Sequence, residues 1–148
     1  MLFDTHAHLD QEDFDNDRDE VIARAHDAGV SEIVTIGTSA STSAICVELA
    51  TRYDGLYAAV GIQPNSVAEA AEGDWNQILI LAAQPGVVAI GETGLDRHWD
   101  FNPSTCSKTT SIDICDFPVI ETYPSLSICG IATRTFLRCC EKPVSEAP

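Results

Sequence analysis

Short apolar runs alternate with longer amphipathic ones from Phe3 to Asp96, and this alternation limits the possible folds more than any other feature of the chain. Ser31–Gly37 (SEIVTIG), Leu56–Val60 and Val87–Ile90 read as buried strands, with Phe3–Asp10 as the opening one. Asp15–Gly29 reads as a helix: Val21, Ile22, Ala25 and Ala28 share one stripe, acidic residues occupy the first turn, and Gly29 supplies the stop. A second helix over Thr42–Tyr53 sets Ile45, Leu49 and Tyr53 on its inner face. Asp74 caps a third through Ala83, and Pro85-Gly86 turns the chain into the fourth strand. Strand and helix in regular succession, joined by short turns, is the pattern of parallel βαβ units. The 148 residues suffice for one domain but fall short of the roughly 250 of a complete (β/α)8 barrel.

In parallel sheets and barrels functional residues gather at the C-terminal ends of the strands, where His6, His8, Gln63, Asn65, Glu92 and Asp96 all fall. Side chains alternate along a strand, so His6 and His8 face the same way about 7 Å apart, a spacing that suits a divalent metal. Asp4 has the same parity and can orient an imidazole from behind. Taken alone, a His-x-His pair is equally well explained as polar surface; its coincidence with Glu92 and Asp96 favours a metal site. Gln63 and Asn65 also have a plain alternative role, satisfying the backbone of the Gly61–Asn65 loop.

Charge narrows the choice of partner. The net charge is −15, and residues 1–103 carry 18 Asp/Glu against 4 Lys/Arg, whereas residues 104–148 carry 5 against 4. Such a surface repels phosphate backbones and argues against a simple DNA-binding module, so a nucleic-acid substrate has to be drawn by metal ions or a local patch. The chain shows no 20-residue apolar run and no signal-like N-terminus, so the expectation is a cytoplasmic protein without a membrane partner. Cys46 stands alone in the first 103 residues, whereas Cys106, Cys115, Cys129, Cys139 and Cys140 crowd the last 45. Without a C-x-x-C pair or an export signal, neither a disulfide framework nor a structural zinc site is favoured.

The opening Phe-Asp-Thr-His-Ala-His and the later Gly91-Glu92-Thr93-Gly94-Leu95-Asp96 resemble the TatD family of metal-dependent deoxyribonucleases over roughly residues 1–103. The resemblance implies a (β/α)8 barrel of the amidohydrolase-like, metal-dependent hydrolase type, here about four βα units followed by an irregular tail. It also implies two divalent ions (Mg, Mn or Zn) and DNA as substrate. His6 and His8 then bind one metal and Glu92, the central catalytic group, bridges both; Asp4 and Asp96 stand behind as second-sphere candidates. Where the family more often has histidines, this loop has Gln63 and Asn65, which points to altered substrate contacts rather than lost metal binding.

A larger departure begins near Ser104. The family pattern continues with strands carrying a third and a fourth histidine and a late aspartate, but residues 104–148 contain no histidine, 12 Ser/Thr and five Cys, and lack a convincing helical or strand period. One explanation is a shifted reading frame: a one-base displacement permits, within codon degeneracy, an amphipathic helix, a Leu-Pro-Phe-Ile-Val-His strand and a second helix. The alternative is an ordinary divergent C-terminus. On the shifted-frame reading, residues 1–103 form the N-terminal half of a barrel and residues 104–148 an aberrant, poorly ordered tail. The unclosed barrel edges then invite self-association. Three functional readings follow: a TatD-like nuclease, inactive or weakly active in this form; an amidohydrolase-type enzyme acting on C–N bonds; and a non-catalytic metal-binding fragment.

Overall fold

The computed structural model describes residues 2–93 and the backbone of residues 125–127. Five strands lie in one sheet in chain order: β1 (Leu2–Ala7), β2 (Val30–Ile36), β3 (Leu56–Val60), β4 (Val87–Thr93) and β5 (Ser125–Ser127). Every neighbouring pair is parallel. Parallel neighbours require a crossover, and α1 (Arg18–Asp27), α2 (Ala40–Arg52) and α3 (Asp74–Ala82) supply the first three. The alternation read from the sequence is therefore present.

Element ends differ from expectation for local reasons. The first helix begins at Arg18 rather than Asp15, because Glu12–Phe14 forms a separate 3-10 turn; Gly29, at φ +92°, terminates it as expected. The second starts earlier, at Ala40: the Ser39 side chain accepts from the Thr42 N–H while Thr42 reaches back to the Ser39 N–H, a capping box. The third is capped by Gly73, not Asp74, whose carboxylate instead accepts from the Ala71 N–H. The fourth strand runs on to Thr93, so Glu92 lies within β4.

The buried stripe of α2 is corrected in part. Leu49 is buried and Tyr53 packs against the same cluster as expected, but Ile45 is 40% exposed, and the helix also buries Ala40, Ser43 and Cys46. Small residues are needed because α2 lies close against the ends of β2 and β3. A Cβ on Gly37 would fall 2.3–2.7 Å from atoms of Ser43. The Ser43 hydroxyl accepts from the Gly61 N–H and donates to the Gly61 carbonyl, completing the hydrogen bonding where β3 ends. On α1 Ala28 is exposed, whereas Ile22 is buried and Val21 and Ala25 pack against it.

The core lies mainly between helices and sheet. One cluster joins Cys46, Ile78 and Ala82 to Ala58, Val60, Val87 and Ile90; a second joins Ile22 and Leu49 to Leu9, Ile33 and Leu56. Each large aliphatic side chain so removed from water stabilises the fold by about 1.5–3 kcal/mol. Ile36, Ala59 and Ala89 form a smaller cluster, with Val34 packed against it. A groove of about 300 Å³ is lined by Phe3, Thr5, Glu32, Val34, Tyr57 and Val88, and both Leu2 and Phe3 are more than half exposed.

Of residues 104–148, only the β5 backbone is among the described residues, paired through Ile90–Ser125 and Thr93–Ser127; a strand from the tail beside β4 departs from the expectation of an irregular tail. The other tail residues, and the expectations that rest on them, lie outside the described set. No helix among the described residues is long and apolar enough to cross a membrane.

Candidate metal centre

His6, His8 and Glu92 come together at the C-terminal ends of β1 and β4, although 84 or more positions separate the histidines from the glutamate in sequence. One ligand atom from each can be chosen so that all three lie within 4.8 Å of one another. His6 Nε2 is 2.9 Å from Glu92 Oε1, and His8 Nε2 is 3.6 Å from the same oxygen. The two imidazoles meet edge to face, with ring centroids 5.1 Å apart. Glu92 is buried, whereas the imidazoles keep part of their surface open toward the mouth of the sheet.

The local fold aims these donors. His8 stands just past the end of β1, and its Nδ1 is 2.9 Å from the Ile36 carbonyl at the end of β2. A carbonyl only accepts, so Nδ1 carries a proton and donates, and Nε2 is the ring atom that faces Glu92. The neighbouring Leu9 N–H donates to the Thr35 hydroxyl at 3.1 Å, and that oxygen lies 3.6 Å from Cys46 Sγ. Two consecutive residues of β2, Thr35 and Ile36, thus hold two consecutive residues of the β1 exit.

Behind this clamp the Asp10 carboxylate is buried, and its Oδ1 has no hydrogen-bond partner. Burial pushes the Asp10 carboxyl above the usual carboxylate range. Burial likewise drives the Cys46 thiol up to about 12.

The remaining sequence candidates fall in different places. Asp4 accepts from the His6 backbone N–H at 3.1 Å, so its hydrogen bond is to the main chain rather than to an imidazole. Gln63 precedes the 3-10 turn Pro64–Ser66; its amide donates to the Ser66 hydroxyl rather than to a backbone group, and its own N–H donates to the Thr38 carbonyl. Asn65 lies within that turn. Asp96 lies outside the described residues. A cavity of about 350 Å³, lined by Thr38, Ser39, Ser41, Ser66, Glu69 and Asp74, sits beside the His–Glu cluster rather than at it. Its two carboxylates suit an anionic ligand poorly.

The donors fit a divalent ion: two imidazole nitrogens and one carboxylate, a mixture that serves zinc, manganese, iron or magnesium. Comparison with known proteins agrees. The family model described as TatD related DNase matches residues 3–111. The chain belongs to the TatD family. A metal-dependent hydrolase of Bacillus subtilis, YabD, itself uncharacterized, is 45% identical over 108 residues, which is 73% of this TatD-family chain and 42% of that protein. The 3'-5' ssDNA/RNA exonuclease TatD of Shigella flexneri is 39% identical over 101 residues, 68% of this chain and 39% of the relative. The TatD-family chain thus spans about two fifths of the length of these curated relatives.

Among solved structures, the TatD homologue YJJV of Escherichia coli superposes with a TM-score of 0.83 at 26% identity, over 93% of this chain and 54% of its own. An uncharacterized amidohydrolase from Saccharomyces cerevisiae gives a TM-score of 0.80 at 20% identity, over 93% of this chain and 50% of its own, a likeness of fold. The sheet and helices of this TatD-family chain are therefore a half-barrel of the TIM-barrel type.

Sequence reasoning quoted Asp10 as part of the opening stretch without giving it a role, and it passed over Thr35 and the Ile36 carbonyl. Thr35 carried a readable signal: a hydroxyl in the apolar run Ile33–Ile36 is polar where a strand faces its helices. The Ile36 carbonyl carried none, because backbone acceptors have no sequence signature.

Proposed function

We propose that this chain carries part of the metal centre of a TatD-type nuclease, with His6, His8 and Glu92 as ligands and single-stranded DNA or RNA as the substrate class. The observation that carries the reading is the convergence of these three side chains at the C-terminal end of a parallel sheet, in a chain of this family. The exonuclease activity named for the Shigella flexneri relative supports the substrate class. Divalent ions held there would polarise a phosphodiester and activate water, which lets an acidic chain act on an anionic polymer. Glu92, buried and shared by both imidazoles, is the bridging group. His8 is locked by the Ile36 carbonyl in the tautomer that presents Nε2. Asp4 keeps a supporting role through the His6 main chain, and Gln63 and Asn65 shape the loop over which substrate enters. We assign the protein to the cytoplasm.

Residues 104–148 hold no histidine where the family pattern continues with two, and on this ground we read the chain as at most weakly active, with metal binding without catalysis as the second reading. The exposed Leu2 and Phe3 beside an apolar groove favour self-association of the half-barrel. Residues 104–148 are read as a shifted frame, to be tested by the gene sequence around codons 102–105.

The deciding experiment incubates the purified chain with a single-stranded DNA oligonucleotide and Mn²⁺ or Mg²⁺, beside Glu92→Ala. Metal-dependent cleavage lost in Glu92→Ala, with an unchanged circular-dichroism spectrum, supports the nuclease. Metal binding that needs Glu92 but produces no cleavage supports the binding-only reading. Metal affinity unaffected by Glu92→Ala overturns the site.

A further inference from the structure

We propose that Thr35 is a positioning residue of the metal centre, acting through the Leu9 main chain to hold His8 in its metal-binding orientation. The inference rests on the reading of His6, His8 and Glu92 as metal ligands and goes beyond it, because Thr35 touches none of them. Its hydroxyl is fully buried and accepts from the Leu9 N–H at 3.1 Å, while its other neighbour is Cys46 Sγ at 3.6 Å. Leu9 is itself 5% exposed, so its N–H has no water to turn to if the hydroxyl is lost.

The placement is what makes this bond matter to the site. β1 ends at Ala7, and the direct β1–β2 pairing ends at Ala7–Thr35. His8 and Leu9 therefore leave the sheet with no ladder hydrogen bonds to fix them. Contacts outside the ladder take its place: the Ile36 carbonyl takes the His8 ring and the Thr35 hydroxyl takes the next N–H along the chain, while the Gln11 N–H donates to the His8 carbonyl and Arg18 Nε to the Leu9 carbonyl. The ring contact sets the rotation of the imidazole, and of the main-chain contacts the Thr35 bond is the one that ties the backbone carrying it to β2. Neither can do the work of the other, since a ring can keep its hydrogen bond while the backbone carrying it swings. Thr35 is further fixed by Cys46 on α2, so the clamp is tied to the helix layer as well as to the sheet.

The test measures Co²⁺ binding by the full chain, followed by the visible absorption of the bound ion, with thermal melting run in parallel. Thr35→Val keeps the shape and removes the hydroxyl; Thr35→Ser keeps the hydroxyl. Ile78→Val, in the α3 core away from the site, is the destabilised control. Loss of a group that orients a ligand commonly weakens metal affinity by about 10–100-fold. Thr35→Val is expected to show that loss at temperatures where it is folded, with Thr35→Ser within about threefold of the unmodified chain and Ile78→Val unchanged in affinity. If Thr35→Val does not fold, Thr35→Ala reads the same contrast without the added methyl. Unmodified affinity in a folded Thr35→Val or Thr35→Ala overturns the proposal, as does an equal loss in Ile78→Val, which would mark the effect as general stability. Absence of Co²⁺ binding by the unmodified chain would instead overturn the metal-site reading on which the inference stands.

Discussion

Replacing Gly61 by alanine tests whether the end of β4 is held where Glu92 needs it. Gly61 follows β3 directly, and a Cβ placed there would stand 2.7 Å from the Gly91 carbonyl carbon, 2.8 Å from its oxygen and 3.1 Å from the Glu92 oxygen. Ordinary contact begins at 3.4 Å, so the Gly91–Glu92 backbone has to retreat by about 0.7 Å in a core packed at crystal density. Gly61 cannot give way in its place without a loss of its own, because its N–H and carbonyl are both engaged by the Ser43 hydroxyl. Overpacking of this kind costs about 1–3 kcal/mol. For a chain of this size that lowers Tm by roughly 2–12 °C. The same retreat carries Glu92 away from the two imidazoles it meets at 2.9 and 3.6 Å, and metal affinity is expected to fall about 10–100-fold. Circular-dichroism melts and Co²⁺ titration of Gly61→Ala read the two effects separately. A variant that melts within about 1 °C of the unmodified chain, below the smallest expected shift, and binds Co²⁺ equally well would refute the close approach of β3 to the Gly91–Glu92 peptide.

Three further outcomes are expected. Cys46, fully buried with its thiol pushed up to about 12, should resist iodoacetamide at pH 8 in the folded chain and react on unfolding, as read by peptide mass spectrometry. Because the folded value lies above the ordinary thiol value, the neutral thiol favours the fold below about pH 9, and this contribution is lost as pH rises toward 12; Cys46→Ala should flatten that part of the stability profile, and an unchanged slope would show that the thiol is not the titrating group. On the shifted-frame reading hydrogen exchange should be slow in Ile33–Ile36 and Val87–Ile90 and fast throughout residues 104–148, an expectation that the pairing of Ser125–Ser127 with β4 already opposes. Protection spread through that stretch would count against the shifted-frame reading.

The order of elements was legible in the sequence because burial imposes its own period. Leu56–Val60 is apolar throughout, as a strand covered on both faces must be, and β3 has those bounds. Gly29 and Gly86 mark turns because their positive φ is one that other residues rarely adopt. That His6, His8 and Glu92 stand near the ends of their strands was legible because strand parity and strand ends are one-dimensional properties. Helix phase was less legible. Hydrophobicity pointed to Ile45 on α2, yet the helix turns Ser43 and Cys46 inward, since the available space between α2 and the ends of β2 and β3 admits only small side chains.

The tertiary structure decided how the site is held. Sequence parity offered Asp4 as the group behind an imidazole, but Asp4 closes a local bond to the His6 main chain, and the Ile36 carbonyl orients His8. That carbonyl, the Thr35 hydroxyl and the Gly61–Gly91 approach are contacts between strands about 30 residues apart. No local pattern encodes such contacts, because each depends on the register with which one strand lies against the next. The sequence by itself placed His6, His8 and Glu92 at the ends of the first and fourth strands; the packing of those strands chose the 2.9 Å between His6 and Glu92.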